Sequence, residues 1–272
     1  MEGHKRAAQA VMSADALIIG AGAGMGVDSG LPDFRGNTGF WKAYPPFEKL
    51  GLSFVDLASP SWFERDPKLA WGFYGHRMNL YRKTNPHDGF SILRRWADKM
   101  HHGSFVFTSN VDGQFQKAGF SVDRILECHG SIHHLQCTSR CSSYWSADQE
   151  IIEVDEARMR AVSTLPLCPK CGSLARPNIL MFGDWGWDAE RESEQSRAFR
   201  YWMSNVQSRN TVLIECGAGS SVPTVRITME RLADQLNAKL IRINTREPDV
   251  PSGHIGIAEG ALEALTKMDA ML

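Results

Sequence analysis

Residues 16–19 form a short apolar run that passes without a break into GAGAGMGVDSGLPDFRG, residues 20–36. A buried strand ending in a glycine loop restricts the fold strongly, because such a loop lets the backbone close on a ligand just beyond the strand. Three further apolar runs end in the same way. Residues 105–108 stop at SNVDG, 212–215 at CGAGSS, and 239–243 at Asn244. Helical patterns occupy 5–14, 86–100, 189–207 and 225–236. This alternation predicts an α/β fold: a Rossmann-like, doubly wound parallel sheet with helices on both faces and ligand groups at the carboxyl ends of its strands.

Two stretches break the alternation. Residues 40–84 are rich in aromatics and end in the helical pattern KLAWGFYGHRMNLYRK, which reads as a helical insertion. Residues 131–179 hold four of the six cysteines around an acidic segment. The expected organisation is a Rossmann-like domain from 1–39, 85–130 and 180–272. The small domain would combine the helical insertion 40–84 with a zinc-ribbon module, 131–179. No internal repeat is visible.

With 30 basic and 31 acidic residues the chain has a formal net charge of -1, so no overall field draws it to nucleic acid or an anionic membrane. His4, Lys5 and Arg6 precede an apolar stretch, as in a secretory signal, but Gln9, Ser13 and Asp15 interrupt the approach. The apolar run over 16–27 is also shorter than the ~18 residues that span a bilayer. A cytoplasmic protein is expected, with no nucleic-acid or membrane partner. The oligomeric state is not legible.

Cys137 and Cys141 are separated by three residues, Cys168 and Cys171 by two, and twenty-six residues lie between the pairs. Two such pairs can enclose Zn²⁺ tetrahedrally, and CPKCGS has the proline and glycine of a tight metal-binding turn. Four thiolates fill every coordination position, so the zinc is expected to be structural. Cys128 lacks a close partner and reads as a small core residue. His133 and His134 are not needed as ligands and read as surface residues. That leaves His129, before Gly130 in a loop where a strand meets the second module.

GAGAGMG departs from the dinucleotide fingerprint in spacing, and no Walker lysine follows, which argues against ATP hydrolysis. Asp33 and Arg35 fit either ribose and phosphate contacts or a structural ion pair. In SNVDG, Asn110 and Asp112 fit either ligand binding or an ordinary turn.

Taken in order, these motifs resemble the sirtuins, NAD-dependent protein deacylases of the silent-information-regulator family, with a bacterial-like character. The resemblance covers nearly the whole chain. GAGMGVDSGLPDFRG is similar to the family's glycine loop and Asp-Phe-Arg element, TSNVDG to its Asn/Asp strand end, and CHGS to its catalytic histidine motif. The cysteine pairs follow at the expected distance. RPNILMFGD resembles the peptide-binding strand, GAGSSV the adenosine-side loop and IRIN the strand whose Asn serves the adenosine ribose.

The resemblance implies NAD as cofactor, a structural zinc and an acyl-lysine protein or peptide as substrate. By position it places Gly22, Ala23 and Gly24 at the pyrophosphate, and Asp33, Phe34, Arg35 and Ser109 at the nicotinamide ribose. Asn110 and Asp112 would hold the carboxamide, Gly217, Ser220 and Asn244 the adenosine half, and Phe182 and Gly183 the substrate backbone. His129 would be the general base acting on the ribose hydroxyls. The implied products are free lysine, nicotinamide and O-acyl-ADP-ribose. Tyr74 and Arg77 form a Tyr-x-x-Arg pattern similar to the pair that sirtuins use against acidic acyl groups, so desuccinylation stands open beside deacetylation. The other reading makes Tyr74 a core residue and Arg77 a surface cation.

The chain departs from the family at Ser109, where glutamine is usual, at Gln114 and Phe115, and at Ala218 and Gly219. The first cysteine pair is also one residue wider than the commonest form. The departures near the nicotinamide keep two alternatives open: a protein mono-ADP-ribosyltransferase or NAD hydrolase on the same fold, and a non-enzymatic NAD-sensing protein.

Overall fold

The computed structural model describes residues 2–33 and 36–272. Its main sheet has six strands, in the order Ile255–Ile257, Lys239–Ile243, Thr211–Cys216, Ala16–Ala21, Ser104–Thr108 and Ile125–Glu127. Every neighbouring pair is parallel. Numbered along the chain the order is 6-5-4-1-2-3, the doubly wound arrangement of dinucleotide-binding folds. Its switch point falls between Ala16–Ala21 and Thr211–Cys216, where Ala21 is level with Cys216. A crevice opens beyond those two strand ends, and the glycine loops begin there.

Alternation along each buried strand divides the packing between the two faces of the sheet. Leu17, Ile19, Val106, Ile214 and Ile241 pack with Phe90, Leu93, Trp96 and Leu265, from helices Asp88–Lys99 and Ala261–Asp269. On the other face Ile18, Phe105, Leu213 and Leu240 meet Phe199, Trp202, Met229 and Leu232 of helices Glu190–Val206 and Thr224–Leu236. The sheet is therefore shielded on both sides, and its polar groups are confined to its ends.

A third core lies around helix Pro67–Lys83, whose first turn is capped by Asp66 accepting from the Leu69 amide. Trp71, Phe73, Tyr74 and Met78 from this helix pack with Phe40, Phe47 and Phe63 of the preceding short helices. Ile132, Leu135 and Ala175 complete the same core. The last three belong to antiparallel strands Gly130–Cys137 and Ala175–Ile179. Trp71 Nε1 donates to the Ala175 carbonyl at 3.0 Å, fastening helix to strand. Segments far apart in sequence, one helical and one carrying the cysteines, thus share one apolar interior. Among the described residues no helix is long and apolar enough to cross a membrane.

Candidate active site

At the switch point the two glycine loops touch through backbone alone. Gly22 N donates to Cys216 O and Gly24 N to Gly217 O, both at 3.0 Å. Gly217 has φ +64, and a Cβ there would lie 2.3 Å from the Gly24 carbonyl carbon. Neither loop has room for a side chain at this crossing. Thr108 and Asn110 tie the next strand end to the same loop: Thr108 Oγ1 donates to Ala21 O at 2.9 Å, and Asn110 Nδ2 to Gly22 O at 3.0 Å.

A cavity of about 770 Å³ opens over these ends. Gly22, Ala23, Asp33, Ser109, Asn110, Asp112, His129 and Gly217 all line it, so most residues singled out in the sequence converge on one space. Its size suits an extended dinucleotide end or an acyl chain. Its glycine-lined floor leaves backbone room for a pyrophosphate, so the residues present fit NAD.

His129 sits between strands Ile125–Glu127 and Gly130–Cys137, and its carbonyl accepts from Leu180 N at 3.0 Å. Burial lowers its pKa below 6.5, while a backbone hydrogen bond to Ser109 pulls the other way. The imidazole is therefore neutral at physiological pH, the state a general base requires. Its Nε2 lies 3.5 Å from Thr224 Oγ1 at the start of helix Thr224–Leu236. Asp112 is deeply buried, and desolvation pushes its carboxyl up to about 6 although it accepts from Gln114 N at 2.9 Å. Ionised Asp112 therefore lowers stability at neutral pH.

Tyr74 and Arg77 line the same cavity, together with Tyr81. Arg77 is 6% exposed and hence no surface cation. Its guanidinium lies among the rings of Phe54, Phe73, Tyr74 and Tyr81, at 5.2 to 5.8 Å from their centroids. Among the described residues, the buried Tyr74 hydroxyl has no hydrogen-bond partner. The segment after Ala175–Ile179 lines the cavity as well. It is fixed by the buried Arg176–Asp184 pair at 2.7 and 2.9 Å, and Phe182 N donates to Ala58 O at 2.8 Å.

Away from the cavity, the sulfurs of Cys137, Cys141, Cys168 and Cys171 lie within 4.8 Å of one another. The Cys137–Cys141, Cys137–Cys171 and Cys141–Cys168 separations are 3.6, 3.6 and 3.5 Å. Tetrahedral Zn–S bonds of ~2.3 Å would set S–S edges of about 3.8 Å, so the four thiols fit zinc.

Residues 22–220 match the family model described as Sir2 family. The chain belongs to this family. Two relatives are each called NAD-dependent protein deacylase. The one from Thermococcus kodakarensis is 36% identical over 92% of this chain and 87% of its own length. The other, numbered 2 in Pyrobaculum aerophilum, is 31% identical over 92% of this chain and 88% of its own. Among solved structures, a Sir2 homolog–NAD complex superposes with a TM-score of 0.72 at 24% identity, covering 97% of this chain and 92% of that one. That likeness supports the fold.

In this Sir2 family member some expected site residues stand back from the cavity. Phe34 and Arg35 lie outside the described residues. Gly24, Gly183, Ser220 and Asn244 are not among the lining residues. Asn244, 2% exposed, spends its side chain on the neighbouring loops: Nδ2 donates to Ala218 O, and Oδ1 accepts from the amides of Arg246 and Glu247. Ser220 donates through N and Oγ to the Glu247 carboxylate at 3.0 and 2.6 Å. His133 and His134 are half-buried rather than on the surface, and His133 Nε2 donates to Asp112 O at 2.9 Å. Thr224, Tyr81 and Glu247 also line the cavity or touch its residues, and none was singled out in the sequence.

Proposed function

We propose that this protein is an NAD-dependent protein-lysine deacylase, releasing nicotinamide and O-acyl-ADP-ribose. The observation that carries this reading is the convergence of the glycine loops, Asn110, Asp112 and His129 on one cavity that Tyr74 and Arg77 also line. The names of the relatives, NAD-dependent protein deacylases, support it.

NAD, when bound, supplies a ribose carbon that becomes electrophilic as nicotinamide leaves. Gly22 and Ala23 receive the pyrophosphate, with Gly24 shaping the turn behind them. Asp33, Phe34, Arg35 and Ser109 serve the nicotinamide ribose, and Asn110 and Asp112 hold the carboxamide. Gly217 serves the adenosine half directly. Ser220 and Asn244 act there through the loops they brace. His129 takes a proton from a ribose hydroxyl, and its lowered pKa keeps the accepting nitrogen free of a proton. The Phe182 and Gly183 backbone aligns the acyl-lysine substrate. Zinc, when bound to Cys137, Cys141, Cys168 and Cys171, joins the two cysteine-bearing turns. We take the lobe of 40–84 and 131–179 as the small domain beside the NAD-binding one.

Within this activity we favour acidic acyl groups beside acetyl, because the desolvated Arg77 lines the cavity. We place the enzyme in the cytoplasm, where thiolate zinc clusters such as that of Cys137, Cys141, Cys168 and Cys171 persist. Mass spectrometry of products from NAD plus matched acetylated and succinylated peptides tests the proposal. O-acyl-ADP-ribose formed in step with free lysine is expected. Free ADP-ribose alone, ADP-ribosylated protein, or no nicotinamide release above buffer would replace it with hydrolysis, ADP-ribosyl transfer or NAD sensing.

A further inference from the structure

Tyr74, Arg77 and Tyr81 occupy positions i, i+3 and i+7 of helix Pro67–Lys83, so one helix face carries all three into the cavity. The Tyr-x-x-Arg pattern ends at Arg77, but the hydrogen bonding does not. Arg77 Nε and Nη2 both donate to the Tyr81 hydroxyl oxygen, at 3.0 and 2.9 Å. A guanidinium is planar, and two of its N–H groups meeting one oxygen fix that plane relative to the helix. Tyr81 is itself buried and cannot swing away.

We propose that Tyr81 is the positioning residue of the acyl pocket, orienting the Arg77 guanidinium to receive a carboxylate-bearing acyl group. A hydroxyl oxygen that accepts two N–H groups still has its own hydrogen to donate. A carboxylate entering beside Arg77 therefore meets a preoriented cation and the hydroxyls of Tyr81 and Tyr74, the latter buried with no partner among the described residues. An acetyl group carries no anion to use them. The benefit of Tyr81 is thus confined to dicarboxylic acyl chains, where orientation set before binding lowers the ordering cost. This inference rests on the reading of Arg77 as the acyl-pocket cation.

The test compares Tyr81→Phe with wild type on one peptide bearing succinyl-lysine or acetyl-lysine, at saturating NAD, with Arg77→Met in parallel. Tyr81→Phe keeps the ring and removes the accepting oxygen. We expect kcat/KM for the succinyl peptide to fall ~10-fold, chiefly through KM, and the acetyl peptide to move less than about 2-fold. Arg77→Met should be selective in the same sense and more severe. If Arg77→Met is selective while Tyr81→Phe is neutral or lowers both substrates equally, the positioning role is overturned and the acyl reading survives. If Arg77→Met affects both substrates equally, or wild type ignores succinyl-lysine, the acyl reading itself fails. Should Tyr81→Phe not fold, Arg77→Lys serves instead, because an ammonium keeps the charge but lacks the Nε–Nη2 edge. Selective loss of desuccinylation supports the inference, and full retention overturns it.

Discussion

Asp112 gives the sharpest conflict between stability and function in this protein. Its carboxyl moves from an ordinary 3.8 to about 6 on folding, mainly because burial disfavours the charge. A carboxyl whose pKa is raised by folding favours the native state most below pH 3.8, and that contribution is lost as pH rises through about 6. Above that point the ionised group costs ~3 kcal/mol, at 1.36 kcal/mol per pH unit. Asp112→Asn removes the charge and keeps an acceptor for the Gln114 amide. The variant should therefore be more stable than wild type, with an advantage larger by roughly 1 kcal/mol at pH 7.5 than at pH 5. Urea unfolding at the two pH values measures it. NAD-dependent turnover of the same variant should fall by about a hundredfold. A stability difference that ignores pH, or a variant less stable at pH 7.5, would refute the reasoning.

Other expectations follow from the same geometry. Turnover should decline as pH falls through about 6, where acid neutralises Asp112, and protonation of His129, whose pKa is lowered by burial, adds to the loss; an acid-insensitive profile down to pH 5 would count against the Asp112 assignment. Cys168→Ser should lose zinc, read by elemental analysis, and with it the strands around the third core, read by circular dichroism; a zinc-free, fully folded variant contradicts the metal reading. Thr224→Val should lower kcat ~3–10-fold, with Thr224→Ser restoring it, if the hydroxyl facing His129 Nε2 orients the ring; identical rates for all three would dismiss it.

Strand positions were the most legible part of the chain, because buried parallel strands are nearly uniformly apolar. The strand Lys239–Ile243 has the bounds its sequence predicts. The first strand runs on to Ala21 rather than stopping before Gly20, since the ladder to Cys216 and Thr108 continues through the glycine. Ile255–Ile257, three residues at the sheet edge, gives too short a signal to be read. The metal cluster was legible because ligand spacing is local. Asn244 illustrates the opposite case, as an amide that binds a ribose and one that braces a loop are the same residue in sequence. Tyr81 carried a usable signal in its i, i+4 spacing from Arg77. Thr224 carried none, since it meets His129 across 95 positions.

The central claim is that His129 acts on a bound dinucleotide and does not merely help bind it. Calorimetric titration of NAD into His129→Ala, paired with nicotinamide release and deacylation rates, tests this most directly. NAD affinity should stay within about threefold of wild type while deacylation falls by ~10²–10⁴. Wild-type turnover, or NAD binding lost in proportion to activity, would contradict it.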